Sequence, residues 1–195
     1  MKTLYLLAGC NGAGKTTAAY ALLPNLLECR EFVNADEIAR GLSPFQPETV
    51  SVQAGRLMLT RLQELLAAGE TFALETTLAT RHYLSFIRKA QALGYSVHLF
   101  FFWLNTPEAA VRRVAIRVRE GGHNIPEDII RRRYELGLRY FFSQYQTAVD
   151  NWTFVDNTQR LGEVVAEGAG KKLLVINKDL WQQLTSLYYD QASTH

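Results

Sequence analysis

Short apolar runs alternate with longer amphipathic stretches along this chain of 195 residues. The runs at 3–8, 31–34, 71–75, 96–104, 153–156 and 173–177 predict strands. Between them the apolar spacing becomes helical, near 15–27, 48–68, 81–93, 107–119, 126–149 and 180–190. Strands that alternate with helices imply an α/β chain built on a mostly parallel sheet. Gly69 and Gly94 fall where two helices should end, and Pro107 and Pro126 where the next two should begin. No repeat, low-complexity tract or long linker intervenes, so a single domain over 1–195 is expected, with a frayed tail after Asp190.

Composition narrows the partners. Hydrophobic residues make up 48% and charged residues 21%, an ordinary globular balance, and the net charge of +2 is too small for a duplex-binding surface. Cys10 and Cys29 offer neither a disulfide framework nor metal-ligand spacing. The apolar start at 4–8 runs straight into Gly-Cys-Asn-Gly-Ala-Gly-Lys, which is no secretory signal, and the run at 97–104 is too short to span a bilayer. A cytoplasmic protein with no membrane contact is the expectation.

Chemistry enters at Gly9-Cys10-Asn11-Gly12-Ala13-Gly14-Lys15-Thr16, a full match to G-x-x-x-x-G-K-[ST] between a predicted strand and a predicted helix. Glycines let such a loop curl so that successive N–H groups face phosphate oxygens, helped by the positive end of the helix that follows. Gly9, Asn11, Gly12, Ala13, Gly14, Lys15, Thr16 and Thr17 are therefore the candidate ATP-binding residues. Lys15 should reach the β- and γ-phosphates, and the Thr16 hydroxyl should take a Mg²⁺ position. The fold class follows as a P-loop NTPase, three layers α/β/α. A guanine-reading Asn-Lys-x-Asp is not met by Asn177-Lys178-Asp179, where the acid comes one position early and is expected to cap the last helix. No transporter signature is present, and the length suits a kinase of small molecules.

Asp36 and Glu75 lie at the ends of the second and third predicted strands, the edge where α/β sheets bind ligands. A carboxylate there can accept the proton of an acceptor hydroxyl or hold Mg²⁺ through water. The plain structural alternatives are a helix N-cap for Asp36 and a backbone-bonded buried acid for Glu75. The segment 112–139 is rich in arginine around Gly121-Gly122-His123 and predicts a small helical lid. Arginines on a closing lid offset charge on a transferring phosphoryl group, and Arg117, Arg119 and Arg132 are the candidates. His123 either meets substrate or orders its own turn. The aromatics Tyr134, Tyr140, Phe141, Phe142 and Tyr145 read as core packing, Cys10 as a neutral spacer, and Asp156-Asn157-Thr158 as the place for base contacts.

Taken together these residues resemble the zeta toxin family of P-loop kinases, in particular its short bacterial members. The resemblance runs from Leu4 to Asn157. It rests on the loop Gly9–Thr16, on Asn34-Ala35-Asp36, on Glu75-Thr76-Thr77-Leu78, and on Arg117 to Pro126 with Ile130-Arg131-Arg132-Arg133-Tyr134. It implies ATP-dependent transfer to a hydroxyl, with a UDP-activated amino sugar as acceptor. Asp36 would then be the general base, Glu75 a second substrate-side acid, and Arg117 or Arg119 with Arg132 the grip on the γ-phosphate. It also implies an antitoxin or other partner protein. Two rival classes stay open. One is a regulatory protein whose slow hydrolysis times release of a partner. The other is a nucleic-acid end kinase, which the small net charge disfavours.

Overall fold

A computed structural model describes residues 2–159 and 161–189. The strands are β1 (Thr3–Ala8), β2 (Glu31–Val33), β3 (Phe72–Thr76), β4 (Ser96–Trp103), β5 (Asn151–Asp156), β6 (Glu163–Ala169) and β7 (Lys172–Val175). The helices are α1 (Lys15–Leu22), α2 (Ala35–Leu42), α3 (Ser51–Ala68), α4 (Tyr83–Ala92), α5 (Pro107–Arg119), α6 (Glu127–Tyr140), a short α7 (Gln146–Ala148) and α8 (Lys178–Tyr189). They form one seven-stranded sheet in the order β2-β3-β1-β4-β5-β6-β7. The first five strands run parallel and the last two are antiparallel additions. Among the described residues no helix is long and apolar enough to cross a membrane.

Side chains alternate across the strands, so Phe101 and Phe154 face one side and Phe100, Phe102 and Val155 the other. On the first side an aromatic cluster of Phe141, Phe142 and Trp181 closes over Phe154 and Trp152. The aromatic stretch thus belongs to the core, as its composition suggests. α1 lies over the other side, where the cavity beside the nucleotide loop is lined by Ala18, Phe100 and Val155.

Four departures from the sequence pattern have physical causes. The stretch 126–149 is not one helix: after α6 it opens into a π-helical segment, Phe141–Tyr145. A wider turn lets Phe141, Phe142 and Tyr145 all reach the interior, where each is at most 1% exposed. β6 escaped the pattern because Gly168 weakens it. A Cβ on that glycine would meet the Trp152 indole at 2.2 Å, so the ring's place over the strand excludes a side chain. α2 is a further helix, and its N-cap is Asn34 rather than Asp36, whose N–H donates to Asn34 Oδ1 at 2.8 Å. Asn177, not Asp179, likewise caps α8, accepting from the Leu180 N–H at 3.2 Å. The tail after Asp190 lies outside the described residues.

α6 sits unusually close to the segment that leaves β3. A Cβ on Gly137 would come within 2.7 Å of the Thr77 carbonyl oxygen, and the Tyr145 hydroxyl donates to the Thr80 carbonyl at 2.5 Å. The second half of the arginine-rich segment is therefore part of the domain's packed body.

Candidate active site

β1 delivers the chain to Gly9 at the carboxyl edge of the sheet, and α1 starts at Lys15. Gly9 takes φ 137° with its α-carbon pressed against β4: a Cβ there would meet the Phe102 carbonyl oxygen at 2.2 Å. Only glycine satisfies both demands. The loop is closed on itself by the Ala13 N–H donating to the Cys10 carbonyl at 3.2 Å. Lys15 Nζ donates to the same carbonyl at 3.0 Å and lies 3.5 Å from Glu75 Oε1. Burial pushes the Cys10 thiol up to about 11, so the spacer in this loop is neutral, as expected.

Glu75 arrives beside the loop because β3 pairs with β1 in the register Leu7↔Glu75. Its Oε2 accepts from the Thr16 hydroxyl at 2.7 Å and from Asn34 Nδ2 at 2.9 Å. Asn34 in turn holds the Asp36 N–H. One hydrogen-bonded rail thus runs from the phosphate loop through Glu75 and Asn34 to the first turn of α2, where Asp36 stands half-buried. A hydroxyl, a carboxylate and an adjacent phosphate-binding loop are the hard oxygen environment that Mg²⁺ selects, so Thr16 and Glu75 fit that ion.

The arginines separate into different jobs. Arg131 is tied to Glu108 at 2.5 Å and Glu127 at 2.8 Å, strapping α6 to α5. Arg117 donates to the His123 carbonyl at 3.3 Å and so holds the glycine turn, while its Nε is buried with no partner. Arg119 and Arg132 stand exposed. Arg133, which sequence reasoning passed over, points inward and donates to Asn11 Oδ1 at 3.1 Å. Burial lowers its pKa and the charge of the Asp36 carboxylate opposes that, so this guanidinium, bonded to the phosphate loop, also feels Asp36. The signal was available: Ile130, Tyr134 and Gly137 mark the buried face of α6, and Arg133 flanks it. The structure brings together Lys15, Thr16, Glu75, Asp36 and Arg133, and it leaves Arg119 and Arg132 outside.

Two recesses flank this centre. One of about 530 Å³ lies between Arg40 and Phe45 on the α2 side and Gly122 and His123 of the glycine turn. The other, about 720 Å³, is bounded by Gly14, Thr17, Phe100, Arg113, Asn157 and Leu161. Of Asp156-Asn157-Thr158 only Asn157 borders this second recess, and the three side chains are committed within the protein. Asp156 Oδ1 accepts the Thr158 N–H, Thr158 Oγ1 accepts the Asn105 N–H, and Asn157 Nδ2 donates to the Ala13 carbonyl.

The model of the family described as Zeta toxin matches residues 1–179. The chain belongs to the zeta toxin family. A relative described as an uncharacterized protein of Haemophilus influenzae is 30% identical over 126 residues, 65% of this chain and 88% of the relative. Among solved structures, the AvrRxo1-ORF1:-ORF2 assembly with ATP aligns with TM-score 0.73 at 19% identity. The match covers 95% of this chain and 64% of the other. The PezAT chromosomal toxin–antitoxin system of Streptococcus pneumoniae aligns with TM-score 0.66 at 16% identity, over 100% of this chain and 88% of that one. This zeta toxin family member thus has a P-loop α/β fold with a mostly parallel sheet and an arginine-rich helical segment.

Proposed function

We propose that this chain is an ATP-dependent kinase that transfers the γ-phosphoryl group to a hydroxyl of a small molecule, with a UDP-activated N-acetyl amino sugar as the acceptor. The observation that carries the reading is the rail from Thr16 through Glu75 and Asn34 to Asp36. It anchors the backbone of Asp36 one hydrogen-bonded step from Glu75, on the side of the loop where this mechanism needs an acceptor hydroxyl and its base. Family membership supports the reaction class, and a neighbour of the same fold was solved with ATP.

In this mechanism the backbone of 9–14 and Lys15 hold the triphosphate. Mg²⁺ beside Thr16 and Glu75 would offset charge on the β- and γ-oxygens. Asp36 orients the acceptor hydroxyl and takes its proton as the new P–O bond forms, and Glu75 helps fix the acceptor on its side. ADP leaves with the electron pair of the broken bond, and Lys15 and Arg133 stabilise the charge that passes to it. Arg117, Arg119 or Arg132 complete the grip on the γ-phosphate when the turn at 120–126 folds down and excludes water. The recess between Phe45 and His123 holds the rest of the acceptor. A protein partner fits as well, since the two structural neighbours above were solved as a two-component assembly and as part of a toxin–antitoxin system.

The test is ADP release from MgATP with and without nucleotide sugars, nucleosides and short oligonucleotides, using Asp36→Asn as control. Stimulation by a UDP-amino sugar that disappears in the variant is the expected result. Slow hydrolysis indifferent to every acceptor would sink the proposal and favour a partner-timing protein.

A further inference from the structure

Asn157 stands just past β5, 144 positions from its hydrogen-bond partner in the phosphate loop. Its N–H donates to the Trp103 carbonyl at 2.8 Å, which fixes its backbone to the end of β4. From that anchored position its Nδ2 donates to the Ala13 carbonyl at 2.7 Å. The amide is wedged on both sides. A Cβ on Gly14 would meet Asn157 Nδ2 at 2.5 Å, and one on Gly162 would meet Asn157 Oδ1 at 2.9 Å.

The peptide joining Ala13 to Gly14 explains what this contact does. No described peptide bond is cis. In a trans peptide the carbonyl and the following N–H point in opposite directions. Holding the Ala13 carbonyl against Asn157 therefore turns the Gly14 N–H away from Asn157 and into the loop. Gly14 has φ 87°, so the peptide before it is next to a residue with no steric preference of its own for either orientation. A loop of glycines that must present N–H groups to an anion needs something outside it to keep a peptide from turning over.

We infer that Asn157 is a positioning residue for phosphate binding: its amide locks the Ala13–Gly14 peptide so that the Gly14 N–H faces the β-phosphate side of the loop. The role concerns phosphates and not the base, although Asn157 borders the recess where a base would lie. The inference rests on the nucleotide-binding reading above, and it makes no use of the acceptor.

Titration calorimetry with ADP and with inorganic tripolyphosphate, which has no base, tests it. In Asn157→Asp the donor is replaced by a carboxylate facing a carbonyl oxygen. Both ligands should then bind more weakly by a similar factor, about fivefold to tenfold at neutral pH, the scale of one lost hydrogen bond with some repulsion added. The protonated carboxyl regains a donor. Relative to wild type at each pH, affinity in Asn157→Asp should therefore recover as pH falls from about 7 towards 5, the range over which a carboxyl set against a carbonyl takes up its proton. Asn157→Ala should show the weakening without the recovery. Unliganded thermal unfolding separates this from damage to the fold, because both variants should melt cooperatively. Weakened ADP with unchanged tripolyphosphate would make Asn157 a base contact and overturn the inference. Unchanged affinity for both, or loss with no pH recovery in Asn157→Asp, would overturn it too. Failure of the nucleotide reading looks different, since wild type itself would then bind neither ligand.

Discussion

Lys15 and Asn11 are 5% and 4% exposed; Lys15 is paired with Glu75 on β3, and Asn11 is bonded to Arg133 on the packed helix α6. Above them, Arg119 and Arg132 stand in solvent on the helices that flank the glycine turn. Both regions carry cationic side chains suited to phosphate, yet they are built in opposite ways. The floor has its donors fixed before any ligand arrives, so little reorganisation accompanies charge movement there. The upper arginines keep their rotamer freedom and would be ordered only on closure, at a cost in side-chain entropy. Under the proposed phosphoryl transfer, a site that admits two substrates and then excludes water needs both kinds.

Lys15→Ala should be the most damaging, lowering kcat/KM for ATP by about 10³-fold, the upper range for removal of one preorganised donor. Asp36→Asn should lower turnover by roughly 10² while nucleotide affinity in calorimetry stays near wild type, as for loss of a general base. Arg133→Ala should cost about tenfold more turnover than Arg119→Ala or Arg132→Ala measured singly, because it removes a fixed cation rather than one still to be ordered. If either outer arginine matched Lys15 in importance, the division between fixed floor and mobile cover would break. Gly122→Ala sharpens it: the new Cβ would meet Arg117 Cγ at 2.6 Å and the Arg117 carbonyl oxygen at 2.9 Å, so the turn must shift and turnover should drop by more than the loss in melting temperature alone would give.

The smallest effect concerns the floor's support. His98 stacks on Phe100 with ring centroids 4.2 Å apart, and burial lowers its pKa to about 4. The unfolded chain takes up this proton near pH 6.5 and the folded one refuses it, so stability should decline as pH falls through that window. His98→Gln should flatten the decline of melting temperature between about pH 7 and pH 4.5, measured against wild type.

Much of the floor was legible because its determinants are local. Gly9 to Thr16 is a contiguous signature between a strand and a helix, and Asp36 and Glu75 announce themselves as acids at strand ends. What could not be read depends on which distant strands become neighbours. The contact of Glu75 with Thr16 follows from β3 lying beside β1, and that of Asn157 with Ala13 from β5 lying beside β4. Three arginines in a row look alike in sequence, and only the packed face of α6 decides that Arg133 turns inward while Arg132 does not. β6 hid behind a glycine whose reason, the Trp152 ring, lies on another strand.

The contacts of Gly137 with Thr77 and of Tyr145 with Thr80 divide the arginine-rich segment by how it should answer heat. α6 is stitched to the stretch that follows β3, so its amides should exchange with solvent only when the whole domain opens. The turn at Gly121, open on the side of that glycine and braced only from within its own segment by Arg117, should exchange through local fraying far below that temperature. The segment reads as one lid along the chain, and it should melt as two pieces.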